Sequence, residues 1–362
     1  MLGRLPKLPS VVDTPTQQAK LSIIITARNE AHTMELALPT LLKQDYPNFE
    51  IILVNDRSSD NTGEIIDRFA EQDSRIVPIH IDHLPKNWLG KVNALNTAVQ
   101  KASGDWLLFT DADVHHHAGL WQKAIAYAEQ KQFDHLALMP NVPTKGVLLQ
   151  ACITAFAFMF LSSTNVVNIE DPKSKAAIGV GAFNLVRHSA FKQTEGFEWL
   201  RMEVGDDYGL GLMMKRAGFH CGFAMAREDL SIDWYPDVKH MVVGLEKNIM
   251  APGTRYETLR LLFNPILFFL AIMAPFMSLL FYEQLYYLTG LVVFATVGLT
   301  GIWVSRFDKD MGRNWLLSPI GLIVVMYTFC RACILCLLRD GIIWRDTHYS
   351  RKQLQKYQRV KL

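Results

Sequence analysis

Trp106-Leu107-Leu108-Phe109-Thr110-Asp111-Ala112-Asp113 is the stretch that decides the fold. Four large apolar residues in a row read as a strand buried on both faces. The chain then turns polar at Thr110 and presents two carboxylates two residues apart. Toward the N-terminus the same arrangement repeats. Leu21–Ala27 is a β-branched run that ends at Arg28-Asn29-Glu30, and Phe49–Val54 ends at Asn55-Asp56-Arg57-Ser58. Arg75–Ile79 is a third apolar run. Between these runs, residues 31–43, 60–72 and 91–102 read as helices, with Asp60 or Asn61 near an N-cap. Strands alternating with helices imply an α/β fold with a mostly parallel sheet covered on both faces. In such sheets ligands sit beyond the carboxyl ends of the strands. Polar clusters at three strand ends therefore point to one crevice.

Each cluster has a chemistry and a plainer alternative. Asp111 and Asp113 can hold a hard divalent cation that bridges phosphate oxygens and neutralises a diphosphate leaving group. They also suit a turn after a strand, where Asp is common. Glu30 and Asp56 are acceptors for a ribose or a base edge, or helix caps. Lys91 follows Gly90, which permits close backbone approach, so its ammonium can reach a phosphate. A merely exposed lysine at a helix start would be opposed by the helix dipole. His115-His116-His117 reads as a solvated loop, with His115 a candidate metal contact. Farther on, Gly205-Asp206-Asp207-Tyr208-Gly209-Leu210 precedes an amphipathic segment, Leu212–Phe219. Adjacent carboxylates there are either dipole residues or a general base whose pKa is raised by its like-charged neighbour.

Composition locates a second region. The 362 residues are 50% hydrophobic and 20% charged, with net charge +2 and mean hydropathy +0.10. Soluble domains carry about 25% charged residues. No long basic stripe precedes the C-terminal tail, which argues against nucleic acid as a partner. Residues 261–282 and 284–305 carry no charge, and 314–338 carry only Arg331. These runs read as a membrane region over 258–338 with about three helices, near 261–282, 285–305 and 316–338. Trp303, Trp315, Tyr282, Tyr286 and Tyr287 would be interface anchors. Arg306, Lys309 and Arg313 place their loop on the cytosolic side, together with the sheet domain at 21–250. The basic tail at 339–362 conflicts with three crossings, which would send it to the other side. Arg331, costly in lipid, marks the third run as the irregular one, and Asn264-Pro265 with Ala274-Pro275 makes the first a second candidate. Residues 146–169, apolar but broken by Gln150, Thr154, Ser162, Ser163, Asn165 and Asn168, read as a buried or interfacial helix. Residues 1–20 read as an N-terminal tail without the apolar core of a signal peptide. Five cysteines, three of them in the apolar run at Cys330, Cys333 and Cys336, suggest no disulfide framework and a packing role.

Taken in order, IIITARNE, EIILVNDRSSDNT, LGKVNALN, WLLFTDADV and GDDYGLGLMMKRAGF resemble the family 2 glycosyltransferases of the GT-A fold, over roughly residues 20–250. LPKNWLGKVNALN and the tail IIWRDTHYSR resemble a membrane branch of that family, the hopanoid-associated and carotenoid-type enzymes, and more distantly ceramide glucosyltransferases. The resemblance implies a GT-A domain followed by transmembrane helices, and a bacterial inner-membrane enzyme with a cytosolic catalytic domain. It implies inverting transfer of a sugar from a nucleotide sugar, with UDP as the expected carrier, to a hydroxyl of a lipid acceptor, with Mg²⁺ or Mn²⁺. By it, Ala27, Glu30 and Asp56 belong to the nucleoside part of the donor site, and Lys91 to the nucleotide region. Asp111 and Asp113 would meet the diphosphate and metal, and Asp207 matches the catalytic base. Processive members carry a Gln-x-x-Arg-Trp motif. Here the corresponding stretch is His240–Asn248, which argues for a non-processive enzyme and leaves Asp206, Lys247 and Asn248 as candidate acceptor or diphosphate contacts. A polyprenyl-phosphate or short-polymer sugar transferase and a non-catalytic nucleotide-sugar-binding protein are the alternatives.

Overall fold

The computed structural model describes residues 5–10, 19–279, 284–305, 314–345 and 347–361. The expected strands and helices form within a residue or two of the apolar periodicity. They are β1 (Leu21–Ala27), α1 (Ala31–Leu42), β2 (Phe49–Asp56), α2 (Thr62–Gln72), β3 (Ile76–Ile81), α3 (Gly90–Val99) and β4 (Trp106–Phe109). There follow β5 (Val114–His116), α4 (Leu120–Gln130), β6 (His135–Met139), α5 (Val147–Ser163) and β7 (Asn184–Arg187). Two single turns, α6 (His188–Phe191) and α7 (Gly196–Trp199), lead to α8 (Asp206–Arg216), β8 (Cys221–Met225), β9 (Leu230–Ile232) and α9 (Val238–Ile249).

Seven strands form one sheet in the order β3-β2-β1-β4-β7-β6-β8. Only β7 runs against its neighbours, so the sheet is mixed and mostly parallel. Ile23, Ile24, Ile51, Ile52, Leu107 and Leu108 are fully buried, because helices cover both faces. The strand order reverses between β1 and β4, and the polar clusters lie at that switch point. A small second sheet pairs β5 with β9. This corrects the reading of the triple histidine as a loop. His115 and His116 are strand residues, and His116 is buried. The indole of Trp121 donates to His116 Nδ1 at 3.0 Å, which leaves Nε2 to donate to Thr110 Oγ1 at 3.1 Å. Thr110 in turn donates to the Ala182 carbonyl at 2.8 Å. Burial holds His116 neutral, down to about 3, so it anchors the end of β4 rather than binding a metal.

The N-terminal tail is also corrected in part. Met225 N donates to Pro6 O at 2.8 Å and Leu8 N to Met225 O at 2.9 Å. These bonds extend the sheet beyond β8 and cover an edge that would otherwise be free to pair.

Beyond α9 come a short turn α10 (Ala251–Thr254) and three long apolar helices: α11 (Thr258–Ser278), α12 (Gln284–Ser305) and α13 (Ser318–Leu338). Among the described residues α13 is the one single helix long and apolar enough to cross a bilayer, while 238–254 and 258–274 form an apolar pair bent by 104°. Glu283, Tyr282 and the loop with Arg306, Lys309 and Arg313 lie outside the described residues. Leu259, Phe263, Leu267, Ile320, Tyr327 and Ile334 are exposed, whereas Cys333 and Cys336 are buried against the sheet domain. Helix α5 packs along α13, with Phe158 on Trp315 at 4.6 Å and Gly321 against the Ala151 carbonyl.

Arg331 finds a protein partner. It and Arg339 both pair with Glu246 of α9. The tail then folds back as a hairpin, β10 (Gly341–Trp344) with β11 (Thr347–Ser350), and a last helix α14 (Arg351–Tyr357) capped by Ser350 and Gln353. Arg359 N and Val360 N donate to Glu203 at 2.7 and 2.9 Å. The basic tail thus packs against the sheet domain.

Candidate active site

The crevice forms where β1, β2 and β4 end. Lys91, in the first turn of α3, donates to Asp111 Oδ1 at 2.7 Å and lies 3.4 Å from Asp206 Oδ2. Burial would lower its pKa, but three nearby carboxylates, Asp111, Asp206 and Asp207, outweigh burial and hold its ammonium charged, well above the ordinary lysine range. Asp206 and Asp207 open α8. The helix thus begins at the acidic pair, earlier than the amphipathic segment suggested. Asp207 Oδ1 accepts from its own helix at Tyr208 N, 2.8 Å, and Oδ2 accepts from Gly181 N, 3.1 Å. Burial raises the pKa of both acids, that of Asp206 to about 6, and the Lys91 charge opposes the rise.

Asp113 is the least compensated group. Burial, then Asp111, then Glu30 push its carboxyl up to about 7. Lys91 is the cation that offsets this charge. Such a surplus of carboxylate suits a divalent cation. The described residues contain no group of three or more His, Cys, Asp or Glu arranged to hold one. Asp111 and Asp113 would thus supply two ligands and leave the remaining positions to substrate oxygens and water, as hard catalytic cations commonly require.

The donor-side residues lie in the same crevice with different freedoms. Ala27 ends β1 in register with Asn55 of β2 and is 2% exposed. Glu30 accepts from Thr33 Oγ1 at 2.7 Å. Asp56 is buried and takes a bidentate grip from Arg57, at 2.7 and 3.0 Å, so in this state both its oxygens are engaged. From α9, Lys247 reaches the crevice. Burial lowers its pKa to about 8, with Lys91 and Arg345 adding to the effect. Asn248, one position on and about 100° around the helix, is exposed.

Three contributors escaped the motif reading. Gly181 separates Asp111 from Asp207: a Cβ there would stand 2.6 Å from Asp111 Oδ2 and 3.5 Å from Asp207 Oδ2. Asn184 Nδ2 donates to the Asp207 carbonyl at 3.1 Å and is held by the buried His135 at 2.6 Å. Trp344 and Arg345 arrive from the C-terminal hairpin. The paired glycines of Gly179-Val180-Gly181, just before a strand, were the available signal for the first. Nothing local marks Asn184, while Trp344 and Arg345 lie within the tail motif IIWRDTHYSR, whose place beside the crevice only the structure gives.

The model of the family described as glycosyl transferase family 2 matches residues 22–194. An uncharacterized glycosyltransferase, EpsJ of Bacillus subtilis, is 35% identical over 114 residues, covering 32% of this chain and 32% of the relative. The poly-beta-1,6-N-acetyl-D-glucosamine synthase of Staphylococcus epidermidis is 36% identical over 105 residues, covering 28% of this chain and 24% of the relative. The matches thus span a third or less of these relatives. The mannosyltransferase PcManGT from Pyrobaculum calidifontis, solved with GDP-Man and Mn²⁺, superposes with TM-score 0.53 at 18% identity, over 88% of this chain and 89% of that one. At that identity the likeness concerns the fold.

Proposed function

The chain carries a family 2 glycosyltransferase domain of the GT-A fold, and on that premise we propose that it transfers a sugar, with inversion, from a nucleoside diphosphate sugar to a hydroxyl of a membrane-borne acceptor. The observation that carries this reading is the facing of Asp111 and Asp207 across Gly181, beside Lys91. Asp207 is the general base: each oxygen is oriented by one N–H and retains a lone pair for an incoming hydroxyl. Asp206, 3.4 Å from Lys91, helps neutralise it, and Lys91 meets the diphosphate charge. Asp111 and Asp113 would hold Mg²⁺ or Mn²⁺, whose bound form supplies charge neutralisation at the departing diphosphate. The mannosyltransferase solved with GDP-Man and Mn²⁺ supports a nucleotide-sugar donor and a divalent ion. Uridine as the base rests on the sequence resemblance. Single-sugar transfer rests on the absence of Gln-x-x-Arg-Trp.

A lipid acceptor is supported by the apolar side of the molecule. Exposed Val147 and Leu148 of α5, Val243 of α9 and the outer faces of α11 and α13 flank the helix that carries Lys247. Arg331 and Arg339 tie α13 to that same helix. On this reading an acceptor hydroxyl held at a bilayer surface has a short path to Asp207, and a cytosolic catalytic domain at a bacterial inner membrane rests on the sequence resemblance and the basic residues Arg306, Lys309 and Arg313. Lipid extracts of cells with and without the protein, compared by mass spectrometry, are expected to differ by a lipid bearing one added sugar. A phosphodiester-linked sugar or a polymer would overturn the acceptor class.

Gly181→Ala tests the geometry. The methyl would force the Asp111 carboxylate off its position, from which it holds Lys91. A displacement near 1 Å in a catalytic group costs on the order of 100-fold. Transfer is expected to fall by that much with an unchanged melting temperature, and wild-type rates would refute the assigned geometry.

A further inference from the structure

The hairpin β10–β11 touches three walls of the crevice from a part of the chain outside the sheet domain. Arg345, directly after β10, is held at φ +47°, a left-handed conformation in which arginine is uncommon. Arg345 Nη1 donates to the Arg28 carbonyl at 2.5 Å, and Nη2 pairs with Glu30. The Trp344 ring lies 4.2 Å from the Lys247 ammonium. Tyr349 is buried, accepts from the Gly90 N–H and lies beside Arg57 and Asp56. The free space left between Lys91, Asp111, Gly181 and Asp207 is about 20 Å³, room for about one water. Arg345 stands outside that space, on the Glu30 side of the crevice, where its side chain is 45% exposed and held by one carboxylate and one carbonyl, so it can turn toward an incoming anion.

We propose that the C-terminal hairpin completes the donor site, with Arg345 exchanging Glu30 for the diphosphate of the nucleotide sugar. A planar guanidinium pairs with phosphate oxygens through two parallel N–H bonds, which a lysine cannot reproduce. The exchange frees Glu30 to accept from the nucleoside. Trp344 and Lys247 form the adjoining wall. This inference rests on the glycosyltransferase reading and adds a residue to its donor site.

The test uses the full chain in detergent, with UDP, GDP, UMP and GMP titrated calorimetrically in the presence of Mn²⁺. Arg345→Asn suits the variant, because asparagine tolerates a positive φ and keeps the turn. It is expected to weaken the preferred diphosphate by about tenfold or more, and the matching monophosphate by less than about threefold. Arg345→Lys should fall between. Unchanged diphosphate affinity in Arg345→Asn would overturn the proposal. So would equal weakening of mono- and diphosphate, which would mark a merely structural role. If the wild type binds neither UDP nor GDP, the donor-site reading itself fails and the proposal falls with it.

Discussion

Asp207→Asn is expected to abolish measurable sugar transfer, with kcat lower by roughly 10²–10⁴, the usual contribution of a general base. The substitution keeps size and shape. One of the Gly181 and Tyr208 N–H groups keeps the amide oxygen as acceptor while the other faces the amide nitrogen, so the start of α8 should hold at a modest cost in stability. The acceptor hydroxyl, however, loses its proton acceptor. Nucleotide affinity should change little, because Lys91 remains paired with Asp111 and Asp206. In the wild type, burial raises the Asp207 pKa. The proton is therefore held to higher pH than on an ordinary carboxylate, and the base form is lost as pH falls through that raised value. Initial rates against pH should show this acid limb. Full activity of Asp207→Asn would sink the assignment and move attention to Asp206.

Asp113→Ala is expected to be comparably severe, roughly 10³-fold or more in transfer, for a different reason. Removing one of two carboxylate ligands weakens a cation whose charge neutralisation is worth several kcal/mol at the leaving group. It also removes the least compensated carboxyl of the crevice, so the fold should tolerate it, with an equal or higher melting temperature. Rates measured across a Mn²⁺ or Mg²⁺ titration distinguish the two effects. Partial rescue at high metal concentration fits a weakened site, whereas wild-type activity without added metal would refute the ligand role. Read together, the two variants separate proton removal from diphosphate departure.

Much of this was legible in the linear sequence. The runs at Leu21–Ala27, Phe49–Val54 and Trp106–Phe109 could be read because a strand buried on both faces needs consecutive apolar residues. The polar residues after them had to share an edge, since parallel strands end on the same side. His116 shows where local reading stops. Three adjacent histidines look like a solvated loop until Trp121 and Thr110 supply partners for both ring nitrogens of the middle one. Arg331 is similar: its cost in an apolar helix was evident, whereas its partner, Glu246, lies 85 positions away.

By itself the sequence determined the parallel sheet, the crevice at its carboxyl edge, the acidic pairs Asp111/Asp113 and Asp206/Asp207, and three long apolar helices. All of these follow from periodicities and strand ends set by near neighbours. Only the tertiary structure decided that Lys91 bridges Asp111 and Asp206, that Gly181 sets the gap before Asp207, and that the tail returns to place Arg345 on Glu30. Those outcomes depend on charge neutralisation and close packing between residues far apart in the chain. No short-range pattern encodes which distant groups will meet.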